Sequence, residues 1–163
     1  VKPNPVSVLN AELVDDQFHA RFSATKRFYT YRITNRRAPL AVEKGLSWQV
    51  PQQLNIEAMS VAAKILVGHH DFTTFRAVGC QANSPIKTLD HLSVERDKEM
   101  IFVSAQARSF LYHQVRNIVG TLKLVGVEKW SVEDVVEAFA AKDRSRGGPT
   151  APAHGLYLTK VAY

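Results

Sequence analysis

Arg116 and His113 stand three residues apart in the run Ser109-Phe110-Leu111-Tyr112-His113-Gln114-Val115-Arg116-Asn117-Ile118-Val119-Gly120. A guanidinium keeps its charge and offers a planar fork of donors that fits a carboxylate or a phosphate. Held beside a histidine in a basic chain, it is what a phosphate-bearing or carboxylate-bearing partner needs. The plainer alternative is an ordinary surface helix with a solvated polar side. Asp71 is the most tempting carboxylate, set in Gly68-His69-His70-Asp71-Phe72-Thr73-Thr74-Phe75-Arg76. Its plainer role is to cap or close a loop, and that reading is preferred. Cys80 is the one cysteine. It could act as a nucleophile beside a histidine, but a lone cysteine is more often a small buried hydrophobe. Tyr29 and Tyr31 could stack on a base; for Tyr31 a half-buried place in a sheet is preferred. His69-His70-Asp71 is the one cluster of metal-ligand types. Its members are adjacent and point different ways, and neither CxxC nor HExxH occurs, so no metal site is assigned. GxGxxG and Walker A patterns are also missing, which argues against dinucleotide or nucleoside triphosphate binding.

The elements that must position these residues are legible from periodicity. Leu111, Val115, Ile118, Val119 and Leu122 recur at helical spacing, which predicts a core-facing stripe with His113, Arg116, Asn117 and Gly120 off it. Glycine inside a helix costs about 1 kcal/mol relative to alanine, so Gly120 points to something packed closely against it. Lys26 to Thr34 reads as a strand, with Arg27, Tyr29, Tyr31 and Ile33 on one face and Phe28, Thr30, Arg32 and Thr34 on the other. Val6 to Val14 alternates weakly and is expected to be a first strand. Asn55 to Val67 reads as a helix capped by Asn55 and ended by Gly68. His69 to Ala82 reads as a loop, and Leu89 to Glu95 with Met100 to Ala107 as a hairpin. A helix is expected from Val132 to about Ala141 under a Ser131 cap, then a loop from Asp143 to His154 and a strand from Leu156 to Tyr163. This order predicts an α+β fold: a mainly antiparallel sheet with helices packed on one face.

Composition bounds the partners. The chain has 163 residues, a formal net charge of +6 and 45% hydrophobic residues. That length suits a single domain over residues 1–163 with one core. No apolar run approaches the ~20 residues of a membrane span. Val1-Lys2-Pro3-Asn4-Pro5 lacks the apolar stretch of a signal peptide and an initiator methionine, so the chain is expected to be a fragment or a processed product. A single cysteine fits a reducing, cytoplasmic setting. Between Gln17 and Val42 lie six basic residues, Arg21, Lys26, Arg27, Arg32, Arg36 and Arg37, and no acid. Such a block favours a polyanion, nucleic acid first; a soluble basic protein with no nucleic-acid role is the alternative that composition leaves open.

Phe18-His19-Ala20-Arg21-Phe22-Ser23-Ala24, followed by Arg27-Phe28-Tyr29-Thr30-Tyr31, resembles the tRNA pseudouridine synthase A family. So do the Gly68 to Arg76 block, the Phe110 to Gly120 run and the ending Gly155-Leu156-Tyr157-Leu158. The blocks fall in the family's order and spacing, and the resemblance covers nearly the whole chain. It implies the C-terminal domain of an isomerase that converts uridine to pseudouridine in the tRNA anticodon arm, without cofactor or metal. In such an enzyme an aspartate attacks a nucleotide that has first left the stack. By this resemblance Arg116 is the arginine that pairs with the aspartate, helps wedge the base out, or both. Tyr29 packs on the target base and Leu156 lines its pocket. Arg21, Lys26 and Arg27 belong to a basic stretch along tRNA phosphates, which positions RNA without reading its sequence. The resemblance also implies a homodimer.

One departure qualifies this. The family's nucleophile sits in a Gly-Arg-Thr-Asp-Ala-Gly block of an N-terminal domain, and no such block occurs here. Asp71 belongs to a different block and is not promoted to nucleophile. The expectation is therefore a cleft-forming, RNA-binding half that is inactive alone, with Arg116 free of any internal acid. A stand-alone RNA-binding or dimerisation module is the alternative.

Overall fold

Alternation along the sequence becomes a sheet with one dry face. The computed structural model describes residues 6–163. The N-terminal Val1 to Pro5, read above for a leader, lies outside the described residues. The chain order is β1 (Lys26–Thr34), β2 (Trp48–Gln49), α1 (Ile56–Ile65), β3 (Gly68–Asp71), β4 (Ile86–Asp97), β5 (Met100–Ala107), α2 (Gln114–Gly126), α3 (Val132–Ala140) and β6 (Leu156–Ala162). The sheet runs β2-β1-β5-β4-β3, and β6 also pairs with β1. All pairings are antiparallel except the short β1–β2 contact. The fold is α+β with a mainly antiparallel sheet, as periodicity predicts.

Period two decides which face is covered. Tyr31 and Ile33 of β1, Ile101, Val103 and Ala105 of β5, and Leu92 and Val94 of β4 are buried in one core. Their neighbours Thr30, Arg32, Phe102 and Ser104 face the other side and are half-buried. The helices close the dry face. α1 contributes Met59, Ala62 and Ala63, and α2 contributes Ile118, Val119 and Leu122. Burying each large aliphatic side chain contributes about 1.5–3 kcal/mol. Local chemistry sets the helix ends. The Asn55 side chain accepts from Ala58 N–H at 3.0 Å. Ser131 and Asp134 form a reciprocal capping box.

Three expectations are corrected. Val6 to Val14 forms no strand: it has no pairing partner among the described residues, and Leu9 and Leu13 are 96% and 104% exposed. Alternation without a sheet edge to receive it does not make a strand. The segment from His69 is not all loop, because Gly68–Asp71 pairs with Ile86 to Leu89 as β3. The helix read from Ser109 begins only at Gln114, because His113 adopts a left-handed φ of 59° that an α-helix cannot contain. The helix then runs on to Gly126.

Candidate active-site cleft

β1, β5 and β4 bring their cationic ends together. Arg27 lies opposite Ala107 in the β1–β5 register, and Leu89 lies opposite Ala107 in the β4–β5 register. Arg27, Lys87 and Arg108 therefore gather at one end of the sheet. With Arg21 and Arg116 they line a cleft of about 890 Å³ whose described lining residues include no carboxylate. Aromatic and apolar groups share it: Phe22, Tyr29, Phe110, Tyr112 and Leu156. Tyr29 and Phe110 meet edge to face, ring centroids 5.2 Å apart.

Arg116 is anchored without being neutralised. Its Nε donates to Ala151 O at 2.7 Å, and Nη1 lies 3.1 Å from His113 Nε2. Among the described residues no carboxylate pairs with it. The anchor is built from backbone. Ala151 N–H donates to Arg116 O at 3.1 Å, so Ala151 alone is tied to Arg116 twice. Gly120 permits that approach: a Cβ there would stand 1.7 Å from Pro149 O. The close packing predicted from Gly120 is thus present. Asn117 is fully buried; its Nδ2 donates to Phe75 O, and its Oδ1 accepts from Arg144 Nη2 and Thr150 Oγ1. The polar side of α2 is therefore a dry, bonded interface at Asn117 and Gly120 and a cleft wall at His113 and Arg116, and the solvated surface helix is set aside.

Tyr31 supports the same region from below. It is buried, and its hydroxyl donates to Pro152 O at 2.7 Å. Burial pushes its pKa well above the ordinary tyrosine range, against the opposing charge of Arg116. Gly155 lets the ring in, since a Cβ would fall 2.7 Å from it.

Of the residues singled out from sequence, Arg21, Arg27, Tyr29, Arg116 and Leu156 meet in the cleft, and Lys26 does not. Lys26 pairs with Asp90 at 3.2 Å. Much of the basic block is engaged internally. Arg27 donates to the carbonyls of Ala24, Arg108 and Arg21. Arg32 stacks over the Tyr157 ring at 4.1 Å, and Arg36 pairs with Glu99 at 3.0 Å. Asp71 closes its loop, accepting from Thr73 N–H at 2.9 Å and Thr73 Oγ1 at 2.6 Å. Burial pushes its carboxyl up, but these bonds and Lys142 bring it below the usual range. His69 bonds Thr88 and His70 bonds Val67 O, so the pair does not converge on one point.

Sequence reasoning missed Lys87, Arg108 and Tyr112, and undervalued Cys80. Counting outward from the Lys98-Glu99 turn, with Asp97 opposite Met100, sets Leu89 and not Lys87 opposite Arg108, so no sequence signal joins Lys87 to Arg108. Cys80 is half-buried in the cleft wall, not in the core, and its Sγ accepts from Tyr112 N–H at 3.3 Å.

Comparison with known proteins now bears on this geometry. The family described as tRNA pseudouridine synthase matches residues 62–163. The chain belongs to the tRNA pseudouridine synthase family. A tRNA pseudouridine synthase A of Paramagnetospirillum magneticum is 61% identical over all of this chain and 64% of its own length. Those of Rhodospirillum centenum and Erythrobacter litoralis are 58% and 55% identical, each aligned over 66% of its length. The chain thus spans 64% to 66% of the length of these relatives. As a pseudouridine synthase segment, it carries the cleft with Tyr29, Arg116 and Leu156 lining it.

Proposed function

We propose that this chain is the cleft-forming, C-terminal half of an isomerase that converts uridine to pseudouridine in the anticodon arm of tRNA. The observation that carries the reading is a cleft with five cations, Arg21, Arg27, Lys87, Arg108 and Arg116, and no carboxylate among its described lining residues. Such a site holds a phosphodiester backbone and leaves one guanidinium for a carboxylate brought from elsewhere. Tyr29, braced edge-on by Phe110, offers a ring for a base that has left the stack, and Leu156 offers an apolar wall. Arg21 and its neighbours hold phosphates. Lys26 would act from outside the cleft and only by releasing Asp90.

The nucleophilic aspartate would come from a segment outside these residues, so the chain alone forms no pseudouridine. Cytoplasmic placement and a homodimer belong to the same reading; the bare Val6 to Val14 segment is apolar surface that a second copy could cover. Sedimentation at micromolar concentration tests the dimer, and a monomer removes it. The decisive experiment joins the chain to the remaining third of a relative and assays tRNA for pseudouridine. Conversion by the joined protein, none by the chain alone, and loss of turnover with an intact fold on Arg116→Ala are expected. An Arg116→Ala enzyme at the parent rate would overturn the assignment of Arg116.

A further inference from the structure

Arg116 has more donors than its surroundings use. Of the five N–H groups of a guanidinium, one on Nε goes to Ala151 O and one on Nη1 to His113 Nε2. Among the described residues the other three, one on Nη1 and two on Nη2, have no partner. With both N–H groups of Nη2 among them, they can take oxygens of a carboxylate or phosphate.

The contact with His113 dictates a proton position. Arginine only donates, so the nitrogen 3.1 Å from Nη1 must accept. Nε2 is then bare and the imidazole proton sits on Nδ1; an imidazolium would set donor against donor. His113 holds this place at φ 59° and ψ 8°, a left-handed conformation that glycine or asparagine adopts with less strain. Its ring is further fixed by stacking on Tyr112, centroids 3.9 Å apart. A residue kept in an unfavourable conformation, on a specific contact to a cleft arginine, has the signature of a functional constraint.

We propose that His113, as the neutral Nδ1–H tautomer, is the positioning residue that clamps Arg116 with its Nη2 N–H groups open to an oxyanion in the cleft. This rests on the reading of Arg116 given above. Burial, and then the Arg116 charge, hold the His113 pKa below the ordinary histidine value. Arg21, Arg27, Lys87 and Arg108 add positive charge to the same cleft, and Tyr29, Tyr112 and Cys80 complete its titratable set. No acid among the described lining residues opposes the shift. The clamp is therefore closed above about pH 6.5 and opens as pH falls through the lower folded value.

Nitrogen-15 spectra of histidine-labelled protein read the tautomer without any reaction. At neutral pH His113 should show a protonated Nδ1 and a bare Nε2; a protonated Nε2 overturns the proposal. The second measurement uses the full-length synthase. His113→Asn keeps a residue that tolerates the left-handed backbone but is too short to reach Nη1. Its melting temperature should hold or rise while kcat falls at least about tenfold, as expected when a reacting group loses its alignment. His113→Gln, whose amide oxygen reaches toward the Nε2 position, should recover most of that rate. An unchanged rate in His113→Asn, or a rate and melting temperature that fall together, overturns the clamp. The predicted tautomer together with an Arg116→Ala enzyme of parent activity would leave the clamp standing and remove the catalytic reading of Arg116.

Discussion

Arg27 and Arg21 share one basic stretch yet do different work. The Arg27 guanidinium donates to three backbone carbonyls, those of Ala24, Arg108 and Arg21, and so ties the start of β1 to the end of β5. Arg21 is exposed, with its guanidinium over Phe22. Removing a charged donor costs about 1.5–3 kcal/mol, here chiefly at the part-buried Ala24 carbonyl, since those of Arg108 and Arg21 are exposed. Arg27→Ala should therefore lower unfolding free energy by about 2 kcal/mol in urea titration. Arg21→Ala should leave stability within about 0.5 kcal/mol and weaken tRNA binding instead. Equal stability of the two variants would show that Arg27 is not structural. Cys80 carries a prediction of its own. Burial pushes its thiol up, but N–H groups of Tyr112 and Ala82 and the Arg76 side chain outweigh this and bring it below its ordinary value. A lowered pKa means more thiolate at neutral pH, so alkylation of Cys80 should reach half its maximal rate below pH 9.0. A midpoint at or above that value would show that these donors do not reach the sulfur in solution.

α2 is the element on which the cleft depends, and its surroundings are unusually unforgiving. Gly120 lies under Pro149 O, so a methyl there meets backbone and not a movable side chain. Gly120→Ala should cost at least about 1–3 kcal/mol through overpacking and displace the segment whose Ala151 carbonyl anchors Arg116. Thermal melting, with tRNA binding in parallel, checks this; an unperturbed variant would mean that the segment can move away freely. Asn117→Ala would leave the Phe75 carbonyl and the Arg144 and Thr150 donors short of a partner, each a loss of about 1–3 kcal/mol if unsolvated. These elements also show what could be read in advance. β1 and β6, the β4–β5 hairpin, the Asn55 and Ser131 caps and the apolar stripe of α2 follow from period and local chemistry, whereas β2 and β3 do not. The start of α2 does not, because neither period nor cap chemistry announces a left-handed His113 in contact with Arg116. The covering of its polar side by Gly147 to Pro152 is likewise tertiary; only Gly120 hinted at it. Val6 to Val14 misled because alternation says which face of a strand would be buried, not whether an edge is there to pair with.

At the scale of the whole molecule, charge is sorted by sheet end. Arg21, Lys87 and Arg108 stand at the cleft with no carboxylate among its described lining residues, whereas Arg36, past the far end of β1, is paired to Glu99 at 3.0 Å and lies 3.8 Å from Glu43. Arg108 is exposed, and Lys87 Nζ makes one bond, to Ser84 O at 3.2 Å. Both are free to displace counterions from a bound backbone; Arg36 would first have to leave its carboxylates. The slope of log Kobs against log salt counts the phosphates a protein neutralises, at about 0.7 to 0.9 per contact. Arg108→Ala and Lys87→Ala should each flatten that slope for tRNA by roughly one contact. Arg36→Ala should leave it unchanged. Net charge falls by one in all three variants, so an unspecific attraction to a basic protein would change all three slopes alike. If Arg36→Ala flattens the slope as much as Arg108→Ala does, RNA is held by the whole basic surface and the cleft is not its track. If Arg108→Ala and Lys87→Ala alone do so, the backbone runs along the end of the sheet, past Tyr29 and toward the open edge of Arg116.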